Sequence, residues 1–328
     1  MMTAHYLGLD IGGTRIKYGI VSTDGSIQGE GSIPSENNAG PEQLYATVCQ
    51  VIDQLIGQLA GPPMGIGLGL TGGVDPDFGV VLLPGKFKGL EGFPLIPQLR
   101  ERYGLPVWAD NDGRLAAYAE RYFGQATDVD WAVVLTIGTG VGSGVILNGQ
   151  LLIDPYLLFG TQIGHGIINR VDSRICLTGN PGTGEVLCSA TALALQVRSA
   201  IQRGIPCELT DQYWHDPHSV DFEAVINACR RDDSLCCQEL EVWVNNLATL
   251  LINAVHYYAP QRIILAGGAA NGADLFLDKL SFLINRQLFS YPKDRVVEVR
   301  LSLMKSYAGV LGAAAMVMDR LTKSTMTI

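Results

Sequence analysis

The chain lacks an excess of basic residues. Its 23 Lys and Arg stand against 32 Asp and Glu, a formal net charge of −9 over 328 residues, which argues against a nucleic-acid surface. It lacks any apolar run of the ~18 residues that a membrane span requires. Its start, "MMTAHYLGLDI", has no basic region followed by a long apolar one, so no secretory leader is expected. The seven cysteines include no Cys-x-x-Cys pair; they read as a reduced intracellular set rather than a disulfide framework. Cys236 and Cys237, adjacent in a helical run, read as small buried hydrophobes. Low-complexity and coiled-coil patterns are missing too. What these absences leave is a soluble, cytoplasmic protein with a small-molecule partner and length for about two domains.

Several of the strand-like runs lead into glycine turns. "HYLGLDIGG" predicts a strand and a tight turn, and "RIKYGIVSTDGSIQGEGSIPS" continues it as a β-meander. "PEQLYATVCQVIDQLIGQLAG" has helical spacing and is expected to close at Gly61. "GIGLGLTGG" and "LPVWADN" are further strands, and "DGRLAAYAERYFG" is a helix ended by Gly124. "WAVVLTIGTGVGSGVILNGQL" predicts two strands around a glycine hairpin. A helical stretch from about 186 to 258, a late strand "RIILAGGAA" and a C-terminal helix "YAGVLGAAAMVMDRL" follow. The second half thus repeats the α/β plan of the first, and a ligand is expected between the halves.

Three glycine turns and one carboxylate carry the chemistry. In "DIGGTRIKYG", Gly12 and Gly13 let backbone amides approach a phosphate, Thr14 and Arg15 add donors, and Asp10 suits a hydrated Mg²⁺. A lone turn of this kind reads first as an ordinary hairpin. "TIGTGVGSG" places Gly at 138, 140, 142 and 144, a density that a plain strand does not tolerate without reason. "LAGGAANG" offers Gly267 and Gly268 to the flat face of a purine. The pair "HDPH", residues 215–218, is split by Pro217 and reads as a loop.

Taken together, "DIGGTRIK", "ADNDGRLAAYAE", "TIGTGVGSG", "GTQIGHG" and "IILAGGAA" resemble the ROK family of sugar kinases, within the sugar kinase, actin and heat-shock ATPase superfamily. The resemblance covers essentially the whole chain. It implies a two-domain α/β actin-like ATPase fold, related to ribonuclease H, with duplicated mixed sheets flanked by helices. The small domain is expected at 1–115, completed by a helix at 307–322, and the large one at 116–306, with the active site in the cleft between them. It further implies ATP, with Thr136, Gly138, Thr139, Gly140, Gly267 and Gly268 on the nucleotide beside Asp10, Gly12, Gly13, Thr14 and Arg15. Asp112 matches the family's general base; by itself it reads equally as the N-cap of "GRLAAYAE". Gly72, Asn111, Asp112, Gln162, His165 and Glu185 are expected at the sugar. A homodimer is the assembly that the resemblance implies.

One wall departs from the family pattern of Glu-Ile-Gly-His followed by C-x-C-G-x-x-G-C-x-E. Here it reads "QIGH" and "CLTGNPGTGE". His165, Cys176, Gly179, Gly182 and Glu185 match, whereas Thr178 and Thr183 replace two thiolates. Zinc is therefore not expected, since hydroxyls are poor ligands beside thiolate. Without the metal, His165 needs another hydrogen bond to fix it. Glu185 reads both as a sugar ligand and as a first-turn helix carboxylate. Gln162 removes a negative charge, and "LPGKFKGLEG" adds Lys86 and Lys88. Either these lysines are simply solvated, or the site takes an acidic or modified sugar. The competing readings are a family repressor, which would need a DNA-binding domain ahead of Asp10 where nine residues stand, and a catalytically silent sugar- or nucleotide-binding member.

Overall fold

The computed structural model describes all residues except 1–3, 37–38, 76–80, 84–86, 88, 155, 157–160, 305 and 327–328. The chain forms two compact units. One comprises Met1–Asp128, Gly149–Thr161 and Leu303–Ile328, the other Val129–Asn148 and Gln162–Ser302. The expected boundary at 115/116 falls inside a helix, whereas the first stretch of the first unit runs on to Asp128.

The first unit holds β1 (His5–Ile11), β2 (Arg15–Ser22), β3 (Ile27–Pro34), β4 (Ile66–Leu70) and β7 (Val107–Asn111) in one mixed sheet, ordered β3-β2-β1-β4-β7. β1 pairs antiparallel with β2 and parallel with β4. β5 (Gly73–Val74) and β6 (Val81–Leu83) form a small antiparallel ribbon, and β10 is Gln150–Leu151. Alternation along β1 separates two cores. Leu7, Leu9 and Ile11 share one with Val48 and Ile52 of α1 (Pro41–Ile56) and Leu99 of α2 (Leu95–Tyr103). Tyr6 joins the other, built with Val310, Ala314 and Val317 of the C-terminal helix α10 (Ala308–Met326) and Ala119 of α3 (Asp112–Phe123). α1 ends at Ile56 with Gly57 as its C-cap, one turn short of the expected stop at Gly61.

The face of the sheet toward α10 is paved with glycine. A Cβ on Gly8 would lie 3.0 Å from the carbonyl carbon of Val310, and one on Gly67 would lie 2.5 Å from that of Ala313. Helix α10 therefore rests directly on backbone. Gly67→Ala is expected to destabilise the protein by ~1–3 kcal/mol or more, since the obstruction is main chain that cannot rotate away. The denaturant midpoint measures this.

The second unit repeats the plan. β8 (Ala132–Ile137) pairs antiparallel with β9 (Val141–Leu147) and parallel with β11 (Arg262–Ala266), which pairs parallel with β12 (Glu298–Leu301). Between β10 and β11 run α4 (Gly184–Cys188), α5 (Ala190–Gln202), α6 (Thr210–His215), α7 (Phe222–Cys229) and α8 (Ser234–Tyr258); α9 (Leu277–Arg286) follows β11. Trp243 of α8 is fully buried between Phe222 and Phe276, and its indole N–H donates to the Ser189 carbonyl at 3.0 Å. Cys236 is buried as expected, but Cys237 is exposed. Among the described residues no helix is long and apolar enough to cross a membrane.

Candidate active site

Each unit contributes its own set of predicted residues. In the first, the β1–β2 hairpin turns at Gly12–Thr14. The Gly12 N–H donates to Arg15 O at 3.0 Å and closes the turn, so that amide is already used. The Arg15 guanidinium lies along β3, donating to Ser32 Oγ at 2.6 Å and Ser32 O at 2.8 Å. Both were expected on phosphate; strand pairing occupies the amide and part of the guanidinium. Thr14 is exposed at the tip of the turn.

Asp10 is the next even-numbered residue of β1 after Gly8, so it too faces α10. A Cβ on Gly309 would come within 2.5 Å of its Oδ2. Burial, then the negative charge of Asp112, raise its carboxyl to about 6, with Lys17 pulling the other way. A carboxylate whose proton affinity is raised by burial and by a second carboxylate nearby is a place where a hard cation is favoured. The residues present therefore fit Mg²⁺.

Asp112 opens α3, but the N-cap is Asn111, whose Oδ1 accepts from the Gly113 N–H at 2.9 Å. The capping reading of Asp112 is thus corrected by one residue. Asp112 sits at the first helical position, exposed, with Oδ1 2.8 Å from the same N–H. Beneath it the buried Asp110 is ion-paired with Arg114 and accepts from the Asn111 N–H at 2.7 Å, which fixes the strand-to-helix corner. The Asn111 amide donates to Gly72 O at 2.8 Å. Gly72 has φ +116°, backbone that favours glycine.

In the second unit the β8–β9 hairpin turns at Gly138–Gly140, closed by the Gly138 N–H donating to Gly140 O at 3.0 Å. Gly138 O accepts from the Ala190 N–H at 2.9 Å, so the turn abuts the N-terminus of α5, capped by Ser189. There a cavity of about 360 Å³ opens, lined by Gly138 and Thr139 of the second glycine turn and Gly268 of the third. Ala194, Phe222 and Ile226 give it an apolar side; Glu223, Arg230 and Asn271 give it a polar one. Its size and mixed lining suit a small ligand, and a helix N-terminus beside glycine amides suits an anion. Gly267 stays outside it. With φ +88°, and a Cβ that would lie 2.5 Å from Ile137 O, it lets the third turn cross the end of β8. Thr136 lies in β8, two residues before the turn.

The predicted sugar wall folds onto the same hairpin. The Ile163 N–H donates to Ser143 Oγ at 3.0 Å, and a Cβ on Gly164 would lie 2.9 Å from Val141 Cβ. The Gly184 N–H donates to Gly166 O at 2.9 Å, which places His165 and Glu185 on either side of one backbone link. Glu185 lies in the first turn of α4, and its Oε2 would be 2.5 Å from a Cβ on Gly140. Gln162 precedes the 3-10 turn Ile163–His165 that carries the histidine.

Among the described residues the bond expected to fix His165 is not seen at Nδ1, which is buried with no partner there. The Cys176 Sγ lies 2.9 Å from Thr178 Oγ1. Burial pushes that thiol up, but hydrogen bonds from Thr178 and Asn180 outweigh it and bring it down to about 6. One imidazole, one thiol and two threonine hydroxyls do not make a zinc donor set. Backbone bonds hold the loop instead: Cys176 N–H to Asn180 O at 3.0 Å and Gly182 N–H to Arg174 O at 2.9 Å. Gly179 and Gly182 take φ +81° and +58°. Lys86 and Lys88 lie outside the described residues.

Sequence reading missed the cavity lining from α5 and α7, Ser143, and Gly309 against Asp10. For Gly309 a signal was available: a helix carrying Gly at both 309 and 312 asks what it must approach so closely.

The repeated mixed sheet, with a glycine hairpin at the same place in each copy, is the actin-like ATPase fold. The chain belongs to the ROK family, whose sequence profile matches residues 6–320. It is 27% identical over 318 residues to a glucokinase of Thermotoga maritima, covering 96% of this chain and 98% of that protein. It is 26% identical to a xylose repressor of Caldicellulosiruptor bescii, covering 95% of this chain and 78% of the repressor. The crystal structure of a ROK family glucokinase from Streptomyces griseus in complex with glucose and AMPPNP superposes with a TM-score of 0.79 at 23% identity, covering 96% of this chain and 100% of that one.

Proposed function

We propose that the protein is an ATP-dependent kinase that phosphorylates a hydroxyl of a hexose or modified hexose. The observation that carries this reading is the cavity where two glycine turns and the start of α5 meet. In the proposed reaction Asp112 accepts the proton of the sugar hydroxyl as its oxygen bonds to the γ-phosphorus, and the bond to the ADP oxygen breaks. Asn111, Gly72, Gln162, His165 and Glu185 position the sugar. Gly138, Thr139, Gly140 and Gly268 cradle the nucleotide, while Gly13 and Thr14 add donors from the first turn. Mg²⁺, held at Asp10 through water, would offset phosphate charge. The unpartnered His165 Nδ1 supports a ligand role, because a buried polar group left unpaired costs ~1–3 kcal/mol that a sugar hydroxyl would recover.

A coupled ADP-release assay over glucose, mannose, N-acetylhexosamines and sugar acids tests the reading. Sugar-dependent ADP release is expected; clear preference for plain glucose removes the proposed shift toward acidic or modified sugars. A second reading, a silent binding member, is favoured by the likeness to the xylose repressor and by the broken cysteine pattern. It predicts nucleotide binding without turnover on any sugar. Assembly as a homodimer belongs to the same proposal and is read by light scattering.

Gly309→Ala is expected to lower kcat/KM by about 10–100-fold, because the new methyl displaces the Asp10 carboxylate. Gly61→Ala, whose Cβ would meet nothing within 4 Å, is the control and is expected to leave kcat/KM unchanged.

A further inference from the structure

Four of the seven cysteines, Cys207, Cys229, Cys236 and Cys237, lie in one helical corner of the second unit. Two of them converge on a carboxylate. Cys207 Sγ lies 3.7 Å from Cys236 Sγ and 3.6 Å from Asp233 Oδ1, and all three ligand atoms lie within 4.8 Å of one another. We propose that Cys207, Asp233 and Cys236 form a Zn²⁺ site with three protein ligands and a water in the fourth position.

The spacing is what carries this assignment. Tetrahedral zinc with Zn–S bonds of ~2.3 Å sets two thiolate sulfurs about 3.8 Å apart, and a carboxylate oxygen at ~2.1 Å stands about 3.6 Å from each sulfur. The separations observed for Cys207 match both values. A disulfide would need the sulfurs at ~2.05 Å.

Surrounding groups orient the ligands as an outer shell does. Asp233 is held at both oxygens: Oδ1 accepts from the Cys236 N–H at 2.9 Å and Oδ2 from the Glu208 N–H at 2.8 Å. The Leu209 N–H points at Cys207 Sγ at 3.4 Å. Two thiolates and a carboxylate around Zn²⁺ leave one net negative charge, and it would sit at the N-terminus of α8, the positive end of a 25-residue helix. Cys207 and Asp233 are both partly exposed, which gives an ion a way in. The site would tie the α5–α6 connection to the start of α8.

The site is independent of the sugar kinase reading, and its test does not use activity. Reduced, chelator-treated protein is titrated with Co²⁺, the spectroscopic stand-in for Zn²⁺. A tetrahedral cobalt spectrum with thiolate-to-metal charge transfer is expected, bleached by Zn²⁺. Cys207→Ser and Cys236→Ser should each remove the charge-transfer band, while Cys176→Ser retains it. If a serine variant fails to fold, alkylation of the wild-type chain decides. Zn²⁺ should shield Cys207 from iodoacetamide, with the exposed Cys237 labelled in both states. Absence of the charge-transfer band in wild type, its survival in both serine variants, or equal labelling of Cys207 with and without Zn²⁺ would overturn the assignment.

Discussion

Asp112→Asn should lower kcat by about 10²–10⁴-fold, the range that a positioned general base contributes, with KM for the sugar changed far less. The substitution keeps the shape and one acceptor and removes the proton affinity. Because Asn111 caps α3, the helix start survives the change, and the variant should unfold within ~0.5 kcal/mol of wild type. Nucleotide affinity should hold as well, since the cavity lining comes from the β8–β9 turn, α5, the α7 region and the Gly268–Gly272 turn, and not from α3. Steady-state ADP release with a nucleotide titration on the same preparation checks all three. Turnover within threefold of wild type would remove Asp112 from the reaction.

The second large effect is expected at Asp10. Asp10→Asn should abolish Mg²⁺-dependent turnover and at the same time stabilise the metal-free protein near neutral pH. The wild-type carboxyl is held at about 6 in the fold against 3.8 outside it. Between those values the folded state binds more protons than the unfolded one, so stability falls as pH rises. The protonated form's contribution is complete below about 4 and gone above about 6, a loss of order 2–3 kcal/mol. The asparagine variant lacks that slope. Melting temperatures of both proteins from pH 4 to 8, with and without Mg²⁺, read the effect. Mg²⁺ should raise the wild-type value above pH 6 and leave the variant where it is.

Much of the architecture was readable because local chemistry and tertiary packing agree. The strand "HYLGLDI" alternates its apolar residues onto two cores, the "TDG" turn closes the meander, and α3 stops at Gly124 as its sequence asks. Less was readable where three dimensions decide. Gly12 and Arg15 look like phosphate donors in isolation, yet the hairpin and β3 use the Gly12 amide and two donors of Arg15. Asp112 and Asn111 compete for one cap, and only the backbone angles reveal that Asn111 takes it. Glu223, Arg230 and Asn271 reach the cavity from segments whose periodicity reports helix faces and nothing about the ligand. Cys207 and Cys236 are far apart in sequence and carry no metal-binding spacing, so their convergence appears only once α8 is folded back on the α5–α6 connection.

The central claim is phosphoryl transfer from ATP to a sugar, and it is tested most directly by ³¹P NMR of wild-type protein with ATP, Mg²⁺ and a panel of hexoses. The expected result is a new phosphate monoester resonance rising in step with ADP, dependent on the sugar. ADP accompanied only by inorganic phosphate, or nucleotide left intact with every sugar, would contradict it.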